Sequence, residues 1–167
     1  MRSTLQPIVL LAVLTVFASP PDAQTAQPSA DRVLVLKSAH KLELLSHGTV
    51  VKSYRIALGE PKGSKIKAGD RKTPEGVYYV DEKKSQSRFY RALHLSYPNQ
   101  ADRARARQLN VDPGGDIEIH GLPHGFAWLS SSQRLIDWTS GCIAVTDSEI
   151  DEIWRYVPVG TPVEIRP

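Results

Sequence analysis

Apolar residues in this chain recur mostly at a period of two or in short unbroken runs, and both patterns predict strands. Residues 33–37 (VLVLK) and 41–45 (KLELL) read as two buried strands. Residues 49–58 (TVVKSYRIAL), rich in β-branched and aromatic side chains, read as a third. Ser46, His47 and Gly48 supply the hairpin turn between the second and third. A long polar stretch follows at 59–72, and the turn 73–76 (TPEG) feeds a strand at 77–80 (VYYV). Residues 89–97 (FYRALHLSY) predict another strand, ended by Pro98. The alanine- and arginine-rich run 99–109 (NQADRARARQL) predicts a short exposed helix. Past the turn 112–115 (DPGG), residues 116–120 (DIEIH) alternate polar and apolar, as a strand with one buried face would. The clearest helix starts at Thr146, which with Glu149 has the capping-box spacing. Ile150, Ile153, Trp154 and Val157 then share one helical face until Pro158 and Gly160 stop it. Residues 161–165 (TPVEI) read as a final strand. Strands dominate, so the class is mainly β, with one or two short helices packed on the sheets.

The N-terminus does not belong to this pattern. Arg2 precedes an uncharged apolar run at 8–18 (IVLLAVLTVFA), too short for a comfortable membrane span, which takes about 20 residues. Followed by small residues, it fits a signal peptide over 1–23, with no stable membrane insertion once that segment is cleaved. Residues 24–30 are small and polar and are expected to be a disordered lead, leaving 31–167 as one domain of ordinary size. Net charge is only +3, but residues 52–107 hold 14 basic against 6 acidic side chains, while 108–167 hold 3 against 9. The basic half could face an anionic polymer or membrane surface. Nucleic acid is not an expected partner, because there is no recognition motif and no interleaving of basic and aromatic residues.

Cys142 is the single cysteine, so it has no partner for an internal disulfide. In an exported chain it is either a buried small apolar residue or a working thiol. Gly141 lets backbone approach closely, and Thr139 and Ser140 offer hydroxyls, which favours a nucleophile. A cysteine nucleophile needs a base, usually histidine. His40 and His47 flank a hairpin and His94 lies inside a strand, which leaves His120 and His124. His120 ends an alternating strand and so sits on a rigid element, whereas His124 lies in a Gly/Pro-rich loop; His120 is the expected base. His120, His124 and Cys142 could alternatively bind zinc, although that ligand set is incomplete. The chain contains no phosphate loop, nucleophile elbow or dinucleotide fingerprint.

Residues 117–121 (IEIHG), followed 22 positions after His120 by Cys142 within 140–143 (SGCI), resemble the YkuD-type L,D-transpeptidases. The turn at 73–76 and the helix through Trp154 extend the resemblance over about 33–165. Many members of that family have His before the Gly-Cys pair and Arg two residues after the Cys. Ser140 and Ala144 stand there instead, and 137–146 (DWTSGCIAVT) is closest to the YafK-like branch. The resemblance implies a β-sandwich of YkuD type and a periplasmic enzyme acting on peptidoglycan stem peptides, with no cofactor and no metal. It makes Cys142 the nucleophile, His120 the base and the Gly121 backbone carbonyl the group that orients the imidazole. The N–H groups of Gly141 and Cys142 would form the oxyanion hole. Ser140, Trp138 and His124 are the candidate substrate contacts. A wall-attached lipoprotein is a further candidate partner, because part of the branch is associated with hydrolysing a peptide–lipoprotein link. Hydrolysis by the same pair, and a non-catalytic wall-binding module, are the alternatives.

Overall fold

The computed structural model of the chain describes residues 29–60 and 62–167. The expected signal peptide and residues 24–28 of the lead lie outside the described residues. Ala30, assigned to the lead by composition, is buried and donates its N–H to the Tyr156 carbonyl (2.8 Å), so the packed domain already includes it.

The strands are β1 (Arg32–Leu36), β2 (Lys41–Ser46), β3 (Thr49–Arg55), β4 (Gly76–Ser87), β5 (Tyr90–Leu95), β6 (Glu118–His120), β7 (Ile143–Ala144) and β8 (Pro162–Arg166). The helices are α1 (Gln100–Gln108) and α2 (Asp147–Tyr156), with a 3-10 segment at Ala127–Leu135. The strands form one hydrogen-bonded order, β3-β2-β1-β8-β4-β5-β6-β7. β1–β8 and β6–β7 are parallel; the other pairs are antiparallel. The mainly β class is therefore as the pattern predicts.

β4 joins the two halves. Its residues 76–79 pair with β8, and from Val80 it pairs with β5, with a register irregularity between Val80 and Glu82. Val33, Val35, Leu42 and Leu44 from one half meet Leu93, Leu95, Ile119 and Ile143 from the other in a single core, which Ile150 and Ile153 of α2 also enter. Each such side chain is worth roughly 1.5–3 kcal/mol when taken fully out of water. The predicted capping box of α2 forms: Thr146 Oγ1 accepts from Glu149 N–H, and Glu149 Oε2 accepts from Thr146 N–H.

Three differences from the pattern matter for the site. β4 extends to Ser87 because its polar run at 81–87 pairs with β5 as an exposed ribbon. β3 stops at Arg55, and the next residues leave the sheet so that Ala57 bridges Ala144 on β7. That bridge, with N–H···O distances of 2.9 and 2.8 Å, brings the two ends of the strand order together. Finally, the polar stretch after β3 is folded around Asp70. Its carboxylate accepts from the N–H groups of Ile66, Lys67 and Lys72 and from Lys65 Nζ.

Candidate active site

Cys142 lies one residue before β7, and the parallel register pairs Ile119 with Ile143 and His120 with Ala144. Extending that register sets Cys142 beside Glu118 and diagonal to His120, all on one face of the sheet. Cys142, Glu118 and His120 accordingly line one cavity of about 560 Å³, together with Lys84, Arg88, Phe89, Asp116, Trp138 and Ser140.

The loop carrying the thiol is tied from several sides. Asp137 Oδ1 accepts from Leu58 N–H (2.9 Å), and Thr139 N–H donates to the Leu58 carbonyl (3.0 Å). His40 Nε2 sits 2.9 Å from Asp137 Oδ2, which gives this turn histidine a positioning partner. Thr139 Oγ1 donates to the Cys142 carbonyl (2.7 Å) and accepts from Gly141 N–H (3.2 Å). Gly141 has φ +118, and a Cβ there would stand 2.6 Å from the Lys72 carbonyl oxygen, so only glycine fits. The backbone beside the nucleophile loop is thus supplied by the Asp70-centred stretch.

His120 is almost fully buried and its Nδ1 lies 2.7 Å from the Gly121 carbonyl oxygen. A carbonyl only accepts, so Nδ1 carries the proton and Nε2 keeps its lone pair. Phe89 stacks on the imidazole at 4.2 Å between centroids, and Trp138 meets it edge-on at 5.8 Å. Burial holds His120 below its ordinary pKa, against the raising effects of the Gly121 bond and the Glu118 charge. Burial pushes the Cys142 thiol up to about 11; the Glu118 backbone contact works against this, and the Glu118 and Asp116 charges add to it. In both groups burial therefore favours the neutral form. Cys142 Sγ donates to the Asp116 carbonyl (3.4 Å), and no thiol–imidazole hydrogen bond is formed among the described residues.

Two expectations meet partners that the sequence pattern does not show. β6 was expected to bury one face, yet Glu118, Ile119 and His120 are all buried, because Glu118 is paired with Lys84 Nζ at 2.8 Å. Gly141 N–H, expected as an oxyanion donor, is already bonded to Thr139 Oγ1. Trp138 and Ser140 line the cavity, whereas His124 does not; its Nε2 lies 2.8 Å from the Ser87 carbonyl oxygen. Ala144, where an arginine was the alternative, is fully buried against Ala57. Lys84, Arg88 and Phe89 were not singled out from the sequence. They come from the β4–β5 hairpin, and the aromatic opening 89–90 (FY) was the only local signal.

A family model described as the YkuD L,D-transpeptidase catalytic domain matches residues 30–165. YafK of Escherichia coli (strain K12), which carries the L,D-transpeptidase name, is 33% identical over 128 residues, covering 74% of this chain and 42% of its own length. The helical cell shape determining protein Pgp2 from Campylobacter jejuni superimposes with a TM-score of 0.62 at 26% identity, over 80% of this chain and 46% of that one. An L,D-transpeptidase from Xylanimonas cellulosilytica shares the fold, with a TM-score of 0.53 at 19% identity over 84% of this chain and 62% of that one. The chain spans less than half the length of YafK and of Pgp2.

Proposed function

The chain belongs to the YkuD family of L,D-transpeptidase catalytic domains, and from that premise we propose that it is a cell-envelope acyltransferase working through a thioester on Cys142. The observation that carries this reading is one cavity lined by a single thiol and a buried histidine whose Nδ1 is fixed by the Gly121 carbonyl. The donor is a peptidoglycan stem peptide, cleaved after the L-centre of its diamino acid, and the N-terminal apolar run supports export to the periplasm.

Attack begins when Sγ turns from the Asp116 carbonyl toward the imidazole. Sulfur bonds to the donor carbonyl carbon as its proton passes to His120 Nε2, so that no free thiolate has to persist. The oxyanion of the tetrahedral intermediate takes the Cys142 N–H, which has no acceptor among the described residues, whereas Gly141 N–H would have to leave Thr139. Collapse breaks the peptide bond, and the departing D-amino acid takes the proton from His120. A second stem's amine then attacks the thioester, loses a proton to His120, and releases the sulfur, which regains it. Neutrality at rest suits this cycle, since an imidazolium could not accept the first proton.

The test is incubation with tetrapeptide-stem muropeptides, followed by mass spectrometry of the peptides and of the intact protein. Release of D-alanine, a thioester adduct on Cys142 and new dimers are expected. Cys142→Ala should abolish all three, and His120→Ala should slow acylation by about a hundredfold or more. Shortened monomers without dimers would assign water as the acceptor. D-alanine release that survives Cys142→Ala would overturn the reading.

A further inference from the structure

The charged side chains around the cavity are not equally committed. Lys84 is taken by the buried Glu118, with which it forms a 2.8 Å ion pair. Asp116 offers its carbonyl to the thiol, and its carboxylate faces His94 Nε2 at 3.7 Å. Arg88 differs: it lines the cavity but makes no ion pair or side-chain hydrogen bond among the described residues. Its guanidinium lies over the Phe89 ring, 5.5 Å from the centroid, and Phe89 in turn stacks on His120. A guanidinium held against a ring face keeps its N–H fork for another partner, and that fork matches a carboxylate.

The cavity is therefore polarised. Asp116, on the thiol side, repels a carboxylate, while Arg88, on the imidazole side, attracts one. Resting on the acyl-transfer reading above, we propose that Arg88 is a specificity residue that binds a free carboxylate of the donor peptide and so sets which way that peptide lies across Cys142. Two carboxylates of such a donor qualify: the one at the second centre of the diamino acid, and the one that ends the leaving D-amino acid. Both present the same chemistry to the fork. Stacking on Phe89 reduces the ordering that binding would otherwise require, which is why an exposed arginine can serve here.

Three tetrapeptide donors separate the sources: the free peptide, its amide at the diamino-acid side chain, and its amide at the terminal D-residue. The readout is kcat/KM for Cys142 acylation, measured by intact-protein mass spectrometry. One of the two amides should lose about tenfold with the wild-type chain, the loss expected for one charge-assisted pair. Arg88→Ala should lose the same factor with the free donor and show no further loss with that amide, while still responding to the other as the wild type does. Arg88→Lys should recover only part, because an ammonium lacks the fork. Unchanged thermal unfolding of Arg88→Ala would separate this from a structural defect. The proposal is overturned if Arg88→Ala keeps the wild-type preference, or if neither amide costs the wild type anything. Failure of all three donors, while iodoacetamide still labels Cys142 at alkaline pH, would instead overturn the acyl-transfer reading on which the proposal rests.

Discussion

Asp70→Asn is the perturbation that best tests how the segment packed against the Cys142 loop is supported. The carboxylate uses both oxygens twice: Oδ2 accepts from Ile66 and Lys67 N–H, and Oδ1 from Lys72 N–H and Lys65 Nζ. Burial alone would raise its pKa, yet these four donors outweigh burial and hold it at about 2, against an ordinary 3.8. A carboxyl that is a stronger acid in the fold than in the unfolded chain stabilises the fold by about 2 kcal/mol at neutral pH. Asparagine keeps the shape, but one oxygen becomes an NH2 facing two donors, and the buried Lys65 loses its counter-charge. The expected total loss is about 3 kcal/mol, or roughly 10 °C in Tm for a domain of this size. Urea midpoints at several pH values are the assay. Because the native pKa is depressed, its contribution is complete above about pH 4 and disappears as pH falls toward about 2. The gap between wild type and variant should narrow across that window. A variant within about 0.5 kcal/mol of wild type at pH 7, or a gap that ignores pH, would refute the reasoning.

The state of the thiol has its own signature. Iodoacetamide labelling of Cys142 should be slow at pH 7 and climb steadily toward a midpoint near 11, and a plateau reached by pH 8 would contradict the burial argument. Gly141→Ala forces a Cβ to 2.6 Å from the Lys72 carbonyl in a left-handed conformation, so it should cost about 2 kcal/mol or more in stability and depress acylation. Full activity in that variant, measured as D-alanine release, would mean the loop is free to relax.

How much of this was legible depends on whether a position's neighbours are close in sequence. β1 and β2 were legible as strands from their Val and Leu runs, although each buries its positions alternately and not throughout. The α2 box lies within four consecutive residues and was equally plain. The second half of β4 was hidden, because 81–87 (DEKKSQS) has the composition of a loop and becomes a strand only through β5. Charged residues misled in the same way. Lys37 reads as a strand end, but its ammonium is buried against the Gly63 and Thr73 carbonyls and Glu75 Oε1. Glu118 reads as the solvent face of an alternating strand until Lys84 arrives from β4, on the far side of β5. At the candidate site, Cys142 and His120 stand out in the sequence as rare residues in stiff settings, and both line the same cavity. Phe89 and Arg88 were not, since a hairpin tip acquires meaning only when the sheet order places it over the imidazole.

Burial of the thiol and the imidazole bears on a tension in the proposal of export. In the proposed envelope setting, an unpaired thiol is at risk in proportion to its thiolate fraction. Burial, which pushes the thiol up to about 11, keeps that fraction small at pH 7. The same burial that suppresses the thiolate lowers the His120 pKa, and the bond from Nδ1 to the Gly121 carbonyl leaves the Nε2 lone pair facing away from the backbone. Under the acyl-transfer proposal, resting protection and catalytic competence share one cause. In the proposed cycle, reactivity is switched on by geometry, when a donor in the cavity draws Sγ off the Asp116 carbonyl and toward Nε2, rather than by a standing charge. On that proposal the supports behind the loop, at Asp70, Thr139 and Asp137, bear on chemistry although none of them reacts, because they set how far Sγ must turn.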